Sequence, residues 1–163
     1  MLKKIGFGLL IVLIAIQFIP TEKNINLTAS ATANDISKAM PVPDDINTIL
    51  KTSCYDCHSN NSIYPWYASI QPAAWLLNDH IEEGKKEINF NEFASYSLRR
   101  QYKKLGEIIE QLKEDEMPLS SYTVIHRNAL LSEPQKLSLS NWAKALKDSM
   151  QQKYPADSLK KKQ

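Results

Sequence analysis

Residues 54–58 read Cys54-Tyr55-Asp56-Cys57-His58. Two thiols three positions apart, followed at once by an imidazole, form the attachment pattern of a c-type haem. Chemistry explains the spacing: each sulfur can bond to one vinyl group of the porphyrin, and the adjacent histidine then reaches the iron from one face. The chain has no other cysteine, so neither thiol has a further partner. Three plainer origins compete with this one. A structural zinc site needs four Cys/His-type ligands, and His80 and His126 could complete such a set only through folding. A thioredoxin-like redox pair would sit at a strand-to-helix turn in a βαβ pattern, which the flanking sequence lacks. A chance match is the third.

A second stretch matters for the iron. Met117-Pro118-Leu119 follows the acidic run Glu114-Asp115-Glu116. A thioether is a soft, neutral ligand that favours ferrous iron, and His/Met ligation raises the haem potential. Pro118 stops the preceding helix and stiffens the loop that carries the sulfur. Met40 and Met150 lie near the ends of the domain, which leaves Met117 as the central methionine. The separation from His58 gives room for two helices to pass round the porphyrin. Met117 is therefore the expected sixth ligand, with a core-filling methionine as the ordinary alternative. His80 and His126 are its rivals. A lone histidine in an amphipathic helix is more often a common side chain, and His126, four residues after Tyr122, suits a packing or hydrogen-bonding place beside that ring.

Several elements must position these groups. Lys3 and Lys4 precede an uncharged run from Ile5 to Ile19 that ends at Pro20. Its length tops the range for a signal-peptide core and falls just short of a comfortable membrane span. The positive flank predicts a cytoplasmic amino end and export of the remainder. The cleavage-like triplets Ala29-Ser30-Ala31 and Ala31-Thr32-Ala33 lie about ten or more residues beyond the run, farther than usual. Residues 1–20 are thus expected to be an uncleaved anchor helix, with a removed signal and a soluble periplasmic protein as the alternative. Residues 21–40 are polar, lack aromatics and read as a flexible tether. Residues 41–152 form the domain, and residues 153–163 a basic, exposed tail.

Within the domain, Pro43 to Ser53 should be helical, with Asp44 and Asp45 in the first turn and Ile46, Ile49 and Leu50 on one face. Ser59 to Gln71 reads as a loop. Its Tyr64-Pro65-Trp66-Tyr67 rings are expected to cover the porphyrin, and one of its carbonyls to accept the second ring N–H of His58. Pro72 to Gly84 has the proline start and glycine stop of a helix. Asn91 or Ser97 should cap the next one. There Tyr102, Leu105, Ile109 and Leu112 recur at helical spacing, while Arg99, Arg100, Lys103, Lys104, Glu107 and Glu110 face water. Ser132-Glu133-Pro134-Gln135 is a capping box for a last helix to about Met150, with Leu139, Trp142, Ala143 and Leu146 on one face.

Charge excludes one class of partner. The formal net charge is +2, but Lys3, Lys4 and Lys23 precede Asn34, and beyond it 17 basic residues balance 17 acidic ones. No basic field points to nucleic acid. Four glycines and many helix formers argue for an α-rich domain.

Cys54 to Asn60, Tyr64 to Tyr67, Asp79-His80-Ile81, Asn89-Phe90, and Met117-Pro118-Leu119 with Tyr122 and His126 together resemble the bacterial haem-binding domain family of cytochrome c type. The resemblance covers roughly residues 40–150 and extends to the amino-terminal run. It implies an all-α, compact, cytochrome c-like domain around one covalent haem c, held by Cys54 and Cys57 with His58 on the iron. It supplies no substrate. The expected function is electron transfer with membrane or periplasmic redox proteins, from the periplasmic face of a bacterial inner membrane. An electron carrier is favoured over an enzyme. The alternative is a peroxide enzyme or diatomic-gas sensor whose sixth position opens, with His80 or His126 as a distal proton donor. A haem-bearing scaffold for an envelope complex ranks last, having no interaction motif behind it.

Overall fold

Helix starts and stops follow local chemistry along the chain. Pro43 precedes the helix Asp44–Ser53, whose first turn carries Asp44 and Asp45 and whose Ile46, Ile49 and Leu50 are buried. Ser97 caps Leu98–Lys113 by accepting from the Arg100 N–H at 3.3 Å. Ser132 opens Glu133–Lys153, and its N–H donates to Gln135 Oε1 at 2.9 Å. In the computed structural model, which describes residues 2–28 and 32–160, these elements join Leu2–Ala15 (α1), Ile36–Ala39 (α2), Asp44–Ser53 (α3), Tyr55–His58 (α4), Ala73–Glu87 (α5), Leu98–Lys113 (α6), Ser120–Thr123 (α7), Glu133–Lys153 (α8) and Ala156–Leu159 (α9). Among the described residues the one extended pairing is an isolated bridge between Ile25 and Asn61, so the all-α class holds.

The main core lies between α3, α6 and α8, centred on Leu50, Leu105, Leu139 and Ala143, with Phe93 from the short 3-10 helix Phe90–Ser95. Trp142 closes one side and donates its indole N–H to Pro41 O at 3.0 Å. A smaller cluster of Ala68, Leu77 and Ile81 packs against Cys57, Tyr64 and Tyr67. Two clusters on either flank of α4 leave that short helix between them.

Four expectations need correction. The first is the anchor. The apolar run forms α1 and then tightens into a 3-10 turn, Ile16–Phe18. Polar Gln17 explains the break: its amide donates to Leu13 O at 2.9 Å and to Gln71 O at 3.1 Å, tying this point to the domain. Fourteen residues span about 21 Å at ~1.5 Å per residue, against roughly 30 Å of bilayer hydrocarbon. No helix among the described residues is long and apolar enough to cross a membrane. The triplet Ala29-Ser30-Ala31 lies outside the described residues, as does Ala31 of the second triplet.

The second is the tether. Asn24 donates to Ser59 O and Ser62 Oγ, both at 2.9 Å, and its N–H donates to Tyr64 Oη at 2.6 Å. Asp35 caps α2, Ile36 is fully buried, and Met40 is buried too. Polar composition concealed specific side-chain partners on the domain. The third is the tail. Leu159 of α9 is buried against the main core, and Arg99 donates to Asp157 O at 3.1 Å. Lys161 and Lys162 lie outside the described residues. The fourth is Lys104, expected in water, which is only 7% exposed and pairs with Glu87 at 2.8 Å and Glu107 at 2.6 Å.

Candidate functional site

A cavity of about 730 Å³ opens beside α4, within the size range of small-molecule and cofactor pockets. Cys54, Cys57 and His58 line it, brought there because α3 ends at Ser53 and Cys54 hands the chain into the single turn of α4. Leu50, Phe90, Leu131 and Leu139 give apolar walls. Met117, Pro118, Leu119 and Tyr122 line it as well. Their loop starts where α6 reverses: Asp115 takes a left-handed φ of 57°, and the Glu116 N–H donates to Gln111 O at 3.0 Å. Aspartate tolerates this conformation better than most residues, and the bond is the long closure of a Schellman motif.

His58 is held by backbone. Its Nδ1 lies 2.8 Å from Gly84 O and 3.0 Å from Ile88 O. Both partners are carbonyls, so Nδ1 must carry the hydrogen and Nε2 keeps its lone pair. Burial pulls the imidazole below its ordinary range, and the two carbonyls oppose that pull. A neutral imidazole with a fixed ring and a free Nε2 is what metal ligation requires. The acceptors come from α5 and its end rather than from the loop between Ser59 and Gln71. The cause is Gly84. It does not stop its helix, which runs on to Glu87; it lets the helix approach α4. A Cβ there would stand 2.7 Å from Cys57 O and 3.2 Å from Cys57 Cβ.

A test follows from that contact. Helix propensity alone would favour alanine over glycine by about 1 kcal/mol. The clash with backbone predicts instead that Gly84→Ala costs about 1–3 kcal/mol net and loosens both His58 bonds. Urea unfolding of the loaded protein reads the sign, and its ferric spectrum reads the histidine.

Burial pushes the Cys54 thiol up to about 12, with Cys57 adding to it, and pushes Cys57 up to about 11, with Asp56 adding to it. Both are protonated at neutral pH, unlike the depressed thiolates of redox-active Cys-x-x-Cys pairs. The helical setting also lacks the strand-to-helix turn of that motif. Zinc fares no better, since no cluster of three or more His, Cys, Asp or Glu side chains able to hold a metal ion occurs among the described residues.

Of the two histidine rivals, half-buried His80 reaches the cavity. His126 does not line it; its ring stacks on Tyr122 with centroids 4.2 Å apart, and its Nε2 shares a 2.7 Å hydrogen bond with Tyr67 Oη. The aromatic loop also behaves differently from expectation. Tyr64, Trp66 and Tyr67 are absent from the cavity lining, and Trp66 is 78% exposed. Tyr64 and Tyr67 turn their hydroxyls to Asn24 and His126. Gly84, Ile88 and the bond that Tyr122 Oη donates to Asp56 Oδ2 belong to no motif. A glycine inside a run of helix formers was the one available signal.

Two thiols, an oriented imidazole, a thioether and apolar walls fit a haem. The profile of one protein family, described as a haem-binding domain, matches residues 11–145. The chain belongs to the haem-binding domain family. No curated protein and no solved structure matches it. The family match begins inside α1 and ends within α8, so it encloses every cavity residue named above.

Proposed function

We propose that this haem-binding domain carries one haem c, joined by thioethers to Cys54 and Cys57, and passes single electrons to and from redox proteins on the exported side of a bacterial membrane. The observation that carries the reading is His58: its Nδ1–H is spent on two carbonyls beside two thiols, on the wall of a cavity that Met117 also lines. When bound, haem supplies one-electron chemistry between ferric and ferrous iron. Cys54 and Cys57 would hold the group by each adding S–H across one vinyl, sulfur to one carbon and hydrogen to the other, an addition that needs no oxidant. The Nε2 lone pair of His58 and the sulfur of Met117, both on the cavity wall, would be the protein's ligands to the iron. Leu50, Phe90, Leu131 and Leu139 would keep water from one part of the group, while Glu83, Glu87, Lys104, Glu107 and Glu110 line another.

A second reading has His80 in its favour, since that side chain also lines the cavity. It would serve as a proton donor beside an opened sixth position, as a peroxide enzyme or gas sensor requires. The ferric spectrum of the loaded protein separates the two. Low-spin iron with a sulfur-to-iron charge-transfer band is the expected result. High-spin, water-ligated iron would overturn electron transfer in favour of the second reading.

A further inference from the structure

Two polar bridges tie the chain around residues 117–126 to residues 54–67. Tyr122 Oη donates to Asp56 Oδ2 at 2.5 Å, and Asp56 is the residue between the two cysteines that immediately precedes Cys57. The other oxygen of the same side chain accepts from the Ile63 N–H at 3.0 Å, and the Asp56 carbonyl accepts from Ser62 Oγ at 2.5 Å. Tyr67 and His126 form the second bridge at 2.7 Å. The stacked rings of Tyr122 and His126, tilted by only 7°, join the two bridges into one unit. Burial, reinforced by the bond to Asp56, raises the Tyr122 hydroxyl well above its ordinary range and keeps it a donor.

This unit has a definite place on the chain. The loop bearing Met117 is fixed at its start by the reversal at Asp115, where the Glu116 and Met117 N–H groups both turn back to Gln111 O. Five residues past Met117 the chain is fixed again, at Tyr122, which itself lines the cavity. The sulfur sits between two moorings, and the second is attached to the haem-attachment segment.

We propose that Asp56 and Tyr122 are positioning residues: with Tyr67 and His126 they clasp the Met117 loop onto the Cys54–His58 segment and hold the sixth iron position shut against added ligands. The proposal rests on the reading of Met117 as the sixth ligand. Its prediction concerns access to the iron, which the fold alone does not set.

Imidazole titration of the ferric, haem-loaded full chain, followed by absorbance, is the test. Tyr122→Phe keeps the stacked ring and loses the bond; Asp56→Asn keeps the shape. Each is expected to raise the apparent imidazole affinity about tenfold or more, the size of one hydrogen bond to a charged acceptor. The double variant should gain no more than the larger single, since Tyr122→Phe removes and Asp56→Asn weakens the same interaction. Tyr67→Phe should move the affinity in the same direction by less. Asp56 also holds the Ile63 N–H, so Tyr122→Phe decides the matter if Asp56→Asn fails to accumulate. Wild-type imidazole affinity in Tyr122→Phe, whatever its unfolding midpoint, would overturn the clasp. Met117→Ala, run in parallel, keeps the two failures apart. If it opens the iron while Tyr122→Phe does not, the clasp alone falls. An unchanged spectrum in Met117→Ala brings down both.

Discussion

Cys54→Ser combined with Cys57→Ser is expected to give a polypeptide that weighs no more than its amino acids, whereas the natural chain, made in a bacterium with haem-attachment machinery, is expected to weigh one haem more. Either single substitution keeps one thioether and so keeps the added mass. The loss reaches beyond the cofactor. A porphyrin held by thioethers would stay on the unfolded chain, so its contribution comes from the apolar surface it covers only in the fold, and a loss of about 4 kcal/mol is expected without it. For a chain of this size that corresponds to a fall in Tm of roughly 8–16 °C. The apolar wall formed by Leu50, Phe90, Leu131 and Leu139 then borders a cavity of about 730 Å³ with nothing of its own chemistry to fill it. Intact-mass spectrometry and thermal unfolding check the two parts separately. A natural chain without added mass would end the covalent reading.

Met117→Ala carries the next largest effect. On the proposed His/Met ligation, the substitution takes away the ligand that favours the ferrous state, so the midpoint potential should fall. Axial ligands tune haem potentials over about 0.8 V, and a fall on the order of 0.1–0.3 V is expected here. The ferric iron should turn high-spin as water enters, and the sulfur charge-transfer band should vanish. Redox titration reads the first change and optical spectra the second. An unchanged potential and spectrum would make Met117 a core residue and turn attention to His80, which lines the same cavity. His126 is not a candidate for that role while it is engaged with Tyr67 and Tyr122.

How much of this was legible from residues alone depends on the range of the interactions. The helices α3, α6 and α8 were readable because their apolar faces repeat every three or four residues and their caps sit next to them. The Cys54–His58 motif was readable because its chemistry is local. Gly84 was misread because glycine serves two ends, a helix stop and a close approach, and only packing tells them apart; here α4 lies against it. Lys104 looked like part of a solvated face until Glu87, from another helix, came to meet it. The carbonyls that hold His58 lie 26 and 30 residues away along the chain, and no periodicity reports such a meeting. Asn24 and Leu159 show the same limit, because their polar or charged surroundings resemble disordered chain until partners on the domain are known.

The two middle positions of the pentapeptide, usually treated as spacers, are structural fastenings in this protein. Tyr55 stacks on Phe90 at 5.3 Å and donates to Asp35, while Asp56 receives Tyr122. Grafting the equivalent five residues from a c-type cytochrome would therefore preserve both thiols and the imidazole. It would nevertheless unhook the amino-terminal segment on one side and the Met117 loop on the other, leaving the same three side chains in a loosened frame.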